Sequence, residues 1–220
     1  KVCDGKTPSE ILDISVADIA CGSGIFLEEA FAYLQDYCVQ WYICNGQTDH
    51  LIETGIDLYK LPLQEKKDIL CSCIYGIDID IHAVEVAKFS LLIKLIEDET
   101  APSVSEVVPI LPDLGDNIQF GNSLVSQTEL NGISGANHQM MEIAPFDWST
   151  INNGCGFDVI IGNPPYVNTE GMHALLPSAE VEIYKKKYKT SHKQFDKYFI
   201  FIEQAINKIN ENGLVCYIVP

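Results

Sequence analysis

Short apolar runs alternate along the chain with longer stretches in which apolar residues recur every three or four positions. The apolar runs predict strands over residues 14–19, 73–77, 118–120, 157–161 and 214–219. The amphipathic stretches predict helices over residues 25–43, 63–71, from 80 onward, and 195–210. Strands that alternate with helices are typical of a parallel sheet covered on both faces. The predicted fold is therefore α/β, a doubly wound, Rossmann-like, mostly parallel sheet in one domain over residues 1–220.

The remaining stretches lack a regular period. Residues 45–62 are rich in turn residues, 99–116 contain three prolines and predict a loop, and 126–156 predict a long excursion. Residues 162–191 predict a loop with some helical character. Asp80 is the predicted N-cap of the third helix, and Asn212-Gly213 is the predicted C-cap of the last one.

The composition is acidic. The chain contains 14 lysines, no arginine and 31 aspartates and glutamates, so its net charge is −17. With 47% hydrophobic residues, it fits a soluble globular domain and excludes a disordered or collagen-like chain. Without arginine, the preferred bidentate partner of guanine and phosphate, the domain is not expected to hold duplex DNA tightly by itself. No apolar run reaches the roughly 18 residues of a membrane helix, and the acidic first 20 residues do not form a signal peptide.

The eight cysteines contain no CxxC pair. We expect Cys71 and Cys73 to be buried thiols and not zinc ligands, because the pair precedes an apolar run. The count is low for a disulfide scaffold of this length, which favours a reducing, cytoplasmic compartment.

Glycines follow the first predicted strand, at the edge where doubly wound sheets bind ligands. Residues 18–26 read Asp-Ile-Ala-Cys-Gly-Ser-Gly-Ile-Phe. Their glycines allow a tight turn and the close approach of a ligand to the main chain, although a purely structural turn is equally compatible with this segment alone. The segment lacks the Gly-Lys-Ser/Thr of a phosphate loop, and Leu27 stands where a dinucleotide fingerprint needs a third glycine.

Acidic and amide residues follow the second and third strands. Asp78 ends the second strand and is expected to accept ribose hydroxyls, whereas Asp80 is assigned to the helix cap. Asn122 follows the third strand, and its amide suits the edge of an adenine ring. By itself, an asparagine at this position is more often a turn residue.

The most specific segment is Asn163-Pro164-Pro165-Tyr166, after the fourth strand. Two prolines fix the backbone and remove two amide donors, which leaves carbonyl oxygens beside an asparagine oxygen and an aromatic ring. This combination suits a planar substrate that carries an amino group. The alternative is a rigid turn with a buried tyrosine.

Taken in order, these segments resemble the motifs of S-adenosylmethionine-dependent DNA adenine-N6 methyltransferases. Residues 18–26 resemble motif I, 163–166 are identical to motif IV, and 74–80, 120–124 and 195–205 resemble motifs II, III and V. About 40 residues separate Asn122 from Asn163, which leaves no room for a target-recognition domain between them. This is the order of the gamma class, found in the modification parts of type I and type IIG restriction–modification enzymes. The chain departs from the pattern at Ile19, where proline is usual, and we expect only a slight change in how the strand exits.

The resemblance implies a role for each matching residue. The methionine part of the cofactor, S-adenosyl-L-methionine, would be held by Asp18, Ala20, Cys21, Gly22, Ser23, Gly24 and Phe26. The adenosine part would be held by Asp78, Ile79, Asn122, Ser123 and Phe201. The catalytic residues would be Asn163, Pro164, Pro165 and Tyr166. A target adenine flipped out of DNA would stack on Tyr166, and its amino group would donate to Asn163 Oδ1 and the Pro164 carbonyl. No metal is needed.

The resemblance also implies partners. Double-stranded DNA is the expected substrate, held largely by regions outside these residues, and a specificity or endonuclease subunit or domain is an expected companion in a prokaryotic cytoplasm. We expect the 220 residues to be a catalytic-core fragment that ends after the fifth strand, inactive on DNA by itself. Methylation of RNA bases or of protein glutamine amides, and a non-catalytic specificity or assembly subunit, are the alternatives.

Six of the 14 lysines fall within 13 positions after the Asn-Pro-Pro-Tyr segment. They are Lys185, Lys186, Lys187, Lys189, Lys193 and Lys197. Such a group forms either a strip of phosphate contacts beside the site or a solvated helix face.

Overall fold

The computed structural model describes residues 2–100, 109–133 and 136–220. The strands of this part of the chain are β1 (Val16–Asp18), β2 (Ile52–Gly55), β3 (Leu58–Lys60), β4 (Ile74–Asp78), β5 (Ile118–Phe120), β6 (Phe157–Gly162) and β7 (Ile209–Tyr217). Five of them form one sheet in the order β5-β4-β1-β6-β7, and each neighbouring pair is parallel. β2 and β3 form a separate antiparallel hairpin. The predicted parallel α/β sheet is therefore confirmed.

Helices cover both faces of the sheet. The first face carries α1 (Pro8–Ile11), α2 (Ile25–Cys44), α3 (Leu63–Cys73) and α4 (Ile81–Ile96). The second face carries α5 (Gln127–Asn131), α6 (Met140–Ile143), α7 (Thr169–Leu175), α8 (Ser178–Lys187) and α9 (Lys197–Lys208). Short 3-10 turns lie at Thr48–His50, Ala136–Gln139 and Asn152–Gly154.

Successive strand residues pack into different layers. Val16 packs with the helices of the first face and Ala17 with those of the second. In β6, Val159 and Ile160 divide between the two layers in the same way. Because both faces are covered, the central strands carry largely continuous apolar runs, whereas the edge strands β5 and β7 include polar residues.

The sequence predictions hold for the central elements. Asp80 caps α4, since its Oδ1 accepts the His82 backbone N–H at 2.9 Å. The turn-rich residues 45–62 contain the β2–β3 hairpin, which was not predicted. Of the loop predicted at 99–116, residues 101–108, including Pro102, lie outside the described residues.

The predicted excursion at 126–156 is part of the second layer. It contains α5 and α6, and it buries Leu130, Ile143, Phe146 and Ile151 against the sheet. Gly135 of this stretch lies outside the described residues. The apolar residues of this segment were not recognised as part of the core because they are separated by many turn residues. The helices that carry some of them are too short to show a helical period in the sequence.

The last helix ends earlier than predicted, so the C-cap assigned to Asn212-Gly213 is wrong. α9 ends at Lys208, and Asn212, with a φ of 66°, lies inside β7. The pairing between β6 and β7 shifts register there, because Phe157 pairs with Ile209 while Val159 pairs with Leu214. A strand bulge and a helix C-cap can both require a residue with positive φ, so the same sequence signal serves either structure.

The eight cysteines are free thiols, of which four are buried and three are exposed. Cys73 is fully buried, and its Sγ donates to the Ile11 carbonyl at 3.3 Å, while Cys71 is half-buried. Across the described ranges, no helix has both the length and the apolar character to cross a bilayer.

Candidate functional site

β1 and β6 lie side by side at the centre of the sheet, although they are far apart in sequence. The chain leaves β1 toward α2 on the first face and leaves β6 toward α7 on the second. Such a switch point opens a crevice at the carboxyl ends of the strands, where open α/β sheets bind ligands. Asp18 ends β1 and Gly162 ends β6, so the glycine segment and the Asn-Pro-Pro-Tyr segment start from the same edge.

Asp18 is a buried carboxyl at this switch point. It is 2% exposed, and its Oδ1 accepts the Ala20 N–H at 3.0 Å. Burial raises the pKa of Asp18 to about 7, the Ala20 N–H lowers it, and the charge of Asp78 raises it further. A Cβ on Gly162 would lie 2.6 Å from Asp18 Oδ1, so this position must be glycine for Asp18 to fit.

The glycine loop after β1 is shaped by Asp78. Asp78 Oδ2 accepts the Gly22 N–H at 2.8 Å, and its Oδ1 accepts the Asp80 N–H at 2.9 Å. Gly22 has a φ of +53° and open space where a side chain would be, so a ligand can approach the main chain there. A carboxylate has about four acceptor positions, so Asp78 keeps room for two ligand hydroxyls.

A cavity of about 260 Å³ lies at the ends of four strands. It is lined by Ile19, Ala20, Asp78, Ile79, Gly121, Asn122, Ser123, Asn163, Pro165, Lys197 and Phe201. Eight of these eleven residues belong to the set predicted from sequence for cofactor or substrate. Segments that are spread over 180 positions of the chain thus meet in one place.

The residues after β5 are held from several sides. Asn122 Oδ1 accepts the Leu124 N–H, and its Nδ2 donates to Glu180, each at 3.1 Å. Ser123 Oγ donates to the Ile19 carbonyl at 2.6 Å, so its hydroxyl ties the β5 turn to the exit of β1. Ser123 lines the cavity, but its hydroxyl is already engaged within the protein.

The Asn-Pro-Pro-Tyr segment carries its functional groups at the surface. Asn163 is exposed and Tyr166 is 46% exposed, whereas Pro164 is buried. The Tyr166 hydroxyl lies within hydrogen-bond distance of Asn163 Oδ1 and, at 2.8 Å, of the Ile218 carbonyl. The Tyr198 ring supports Tyr166 edge-on, with 5.9 Å between centroids. The alternative of a buried tyrosine is therefore wrong.

Some predicted residues lie elsewhere. Phe26 lines a separate apolar groove between α2 and β7. Cys21 is buried, and burial raises the pKa of its thiol well above the ordinary value. In the ranges that the structure covers, no group of three or more His, Cys, Asp or Glu side chains is arranged to hold a metal ion.

The lysines after this segment do not form one strip. Lys186 pairs with Glu182 on the exposed face of α8, at 2.7 Å, whereas Lys187 turns inward to Glu129 at 2.9 Å. Lys197 is 8% exposed and lines the cavity. This position in the cavity was not predicted, although Lys197 and Phe201 are four residues apart and so share a helix face.

Comparison with proteins of known structure agrees with the fold. The chain superposes on the type IIL restriction–modification enzyme MmeI in complex with DNA, with a TM-score of 0.52 and 18% identity. The match covers 95% of this chain and 25% of that one. A nuclease-deletion mutant of the type ISP restriction–modification enzyme LlaGI, in complex with a DNA substrate mimic, gives a TM-score of 0.54 and 15% identity, over 93% of this chain and 15% of the other.

Sequence comparison goes further. The chain is 46% identical over 218 residues to the type II restriction enzyme and methyltransferase RM.Eco57I of Escherichia coli, across 99% of this chain and 21% of that protein. It thus spans about a fifth of the length of this relative. The sequence profile of the Eco57I restriction-modification methylases matches residues 72–220, which is more than half of the chain. The chain therefore belongs to the Eco57I restriction-modification methylase family.

Proposed function

We propose that the chain is the catalytic core of a DNA methyltransferase that transfers the methyl group of S-adenosyl-L-methionine to the N6 amino group of adenine. The observation that carries the proposal is the convergence of Asp78, Asn122, Asn163 and Phe201 on one cavity at the sheet switch point. These side chains come from four separate segments, and each suits a different part of the cofactor or substrate.

The chemistry of the cavity fits S-adenosyl-L-methionine. Asp78 has acceptor positions left for a ribose diol, the Asn122 amide suits the adenine edge, and the Phe201 ring suits its face. Asp18, which ends β1 beside the cavity but does not line it, would supply a carboxylate for the ammonium group of the methionine part. The open space beside Gly22 accommodates a ligand against the main chain.

The substrate side fits a flipped-out base. Half of the Tyr166 surface is free to stack on a planar ring, and Tyr198 supports the ring edge-on. Asn163 Oδ1 is an acceptor at the cavity wall, covered by the Tyr166 hydroxyl. For an amino group to reach this oxygen, the hydroxyl must turn to the Ile218 carbonyl, its second acceptor.

The residues of the chain would act by position and hydrogen bonding. Asn163 Oδ1 and the Pro164 carbonyl would each accept a hydrogen from the target amino group. These bonds favour a pyramidal nitrogen, whose lone pair is withdrawn from the ring. When bound, S-adenosyl-L-methionine supplies an electrophilic methyl group. The nitrogen lone pair would form the new C–N bond as the methyl–sulfur bond breaks, with the electron pair of that bond left on sulfur as a neutral thioether. The nitrogen would then lose one proton to solvent.

DNA as the substrate is supported by the restriction–modification enzymes that share the fold and whose structures contain DNA or a DNA mimic. The net charge of −17 indicates that these residues contribute little to the non-specific attraction of phosphates. We infer that a specificity or endonuclease region or subunit supplies most of the DNA contact.

The test is methyl transfer from tritium-labelled S-adenosyl-L-methionine by the full-length protein to duplex DNA, RNA and protein acceptors. We expect label in duplex DNA, recovered as N6-methyladenine by mass spectrometry of the nucleosides. Asn163→Ala should abolish transfer and keep cofactor binding, while Lys186→Ala, on an exposed face of α8, should leave both unchanged. Label in RNA or protein alone, or in another base, would contradict the proposal. Absence of cofactor binding would favour a non-catalytic subunit.

A further inference from the structure

A lysine within the motif V-like segment, to which the resemblance assigned no cofactor role, lines the cavity. Lys197 is the first residue of α9, and its side chain is only 10% exposed. One helical turn later, Phe201 lines the same cavity, together with Asn122 and Asp78. All five residues assigned to the adenosine part of the cofactor line this cavity with Lys197. Of the residues assigned to the methionine part, only Ala20 does, and Asp18 and Gly22 are not among the lining residues.

Lys197 is held by a buried carboxylate on α8. Glu180 is 1% exposed, and its Oε1 lies 3.6 Å from Lys197 Nζ. This separation gives an ion pair but exceeds a hydrogen bond. The same oxygen accepts the Tyr184 hydroxyl and, at 3.1 Å, Asn122 Nδ2. Burial lowers the pKa of Lys197, and the charges of Glu180 and Asp78 act in the opposite direction.

Glu180 also fixes the orientation of Asn122. A carboxylate only accepts hydrogen bonds, so the amide must turn its Nδ2 toward Glu180 and its Oδ1 toward the Leu124 N–H. One amide hydrogen and one oxygen lone pair remain for a ligand. The carboxylate therefore positions two cavity-lining groups at once, an ammonium and an amide.

We propose that Lys197 donates a hydrogen bond to the adenosine half of the cofactor, and that Glu180 is the positioning residue that holds Lys197 and Asn122 toward it. This inference rests on the proposed function. Adenosine offers ring nitrogens and hydroxyl oxygens as acceptors, and the ammonium has donors that Glu180 does not fill at 3.6 Å. Burial lowers the pKa of Lys197, and the charges of Glu180 and Asp78 offset only part of this effect.

The first test compares two ligands by calorimetry on the full-length protein. S-adenosyl-L-methionine contains both halves, and 5′-methylthioadenosine contains only the adenosine half. Lys197→Met should weaken both ligands by about tenfold or more, as expected for a hydrogen bond from a charged donor. Asp18→Asn should weaken S-adenosyl-L-methionine alone. Lys186→Met is the matched control and should change neither affinity.

A second variant separates contact from folding. Lys197→Met leaves Glu180 buried without its cation, which destabilises the protein. The double variant Glu180→Gln with Lys197→Met removes both charges and should recover much of the free energy of unfolding in urea while affinity for 5′-methylthioadenosine stays low. Recovery of wild-type affinity together with stability would show a purely structural role and overturn the inference.

A measurement on the unmodified protein removes any dependence on variant folding. Acetic anhydride modifies free lysine amines, and mass spectrometry gives the rate at each position. Saturating 5′-methylthioadenosine should slow acetylation of Lys197 and leave that of Lys186 unchanged. Equal rates at Lys197 with and without bound ligand would refute the contact. If the wild-type protein binds neither ligand, the proposed function fails instead.

Discussion

The buried carboxyl of Asp18 makes the stability of this domain depend on pH in an unusual direction. Most aspartates stabilise folded proteins when they ionise, because their folded pKa is lowered. Asp18 has the opposite shift, since its burial disfavours the charge. Replacing it with asparagine keeps the shape and removes the charge, so Asp18→Asn should stabilise the protein at alkaline pH.

The size of the effect follows from the two pKa values. The ordinary pKa of an aspartate is 3.8, and that of folded Asp18 is about 7. Between them the folded protein binds more protons than the unfolded chain, so stability falls as pH rises. At about 1.4 kcal/mol per pKa unit, the ionisation of Asp18 costs roughly 4 kcal/mol at pH 8 and roughly 1.5 kcal/mol at pH 5. The difference is roughly 2–3 kcal/mol.

Urea unfolding at pH 5 and pH 8 measures this difference without any ligand. Between the two pH values, the free energy of unfolding of the wild-type protein should fall by roughly 2–3 kcal/mol relative to that of Asp18→Asn. Asp36→Asn, at an exposed position of α2, should keep the wild-type dependence. Parallel pH profiles for wild type and Asp18→Asn would refute the reasoning, because the pKa of Asp18 would then be unshifted.

The same carboxyl links cofactor binding to pH. An ammonium group beside Asp18 favours its ionised form, so binding releases the proton that Asp18 holds below pH 7. Affinity for S-adenosyl-L-methionine should therefore increase from pH 5 to pH 8 in the wild-type protein and change less in Asp18→Asn. Calorimetry in buffers of different ionisation enthalpy counts the released protons, and zero released protons at pH 6 would contradict an ammonium contact.

Three further substitutions test the packing and the substrate side. Gly162→Ala places a Cβ 2.6 Å from Asp18 Oδ1 at a φ of +148°. It should therefore lower the melting temperature and weaken cofactor binding. An unchanged thermal transition would contradict the close approach of Gly162 to Asp18. Phe157 is fully buried, and Phe157→Ala should cost about 3–5 kcal/mol of unfolding free energy in urea, with a loss below about 1 kcal/mol arguing against its core position. Tyr166→Ala should lower kcat/KM for duplex DNA by a factor that corresponds to the roughly 1–3 kcal/mol of one stacked base. Tyr166→Phe should retain most activity. Equal losses in both variants would mean that the hydroxyl matters more than the ring.

The central strands were predictable from sequence because β1, β4 and β6 are largely buried and show as nearly continuous apolar runs. The edge strand β5 has the predicted bounds, 118–120, although Gln119 interrupts its apolar run. The β2–β3 hairpin and the short helices α5 and α6 were not predictable in the same way. They are only three to five residues long, so neither a strand alternation nor a helical period can develop within them.

The site was predictable to the extent that its residues follow strands directly. Asp78, Asn122 and Asn163 each lie within two residues of a strand end, and parallel strand ends share one edge. Glu180 gave no such signal. It lies in the first turn of α8, in a stretch predicted as a loop with some helical character, and only the packing of α8 brings its carboxylate to Asn122.

A single substitution of Asp78 changes both the ligand-facing surface and the loop around it. Both of its oxygens accept backbone N–H groups, one from the glycine loop and one from the start of α4. Asp78→Asn leaves one oxygen for these two donors, so it should distort the loop beside Gly22 as well as remove the proposed ribose acceptor. Loss of cofactor affinity in that variant therefore combines two causes. Asn122 is coupled to its surroundings in the same way, through Glu180 and Leu124. A chain whose ligand-facing groups also hold their own loops in place gains a preorganised site, because the loop geometry is set before a ligand arrives.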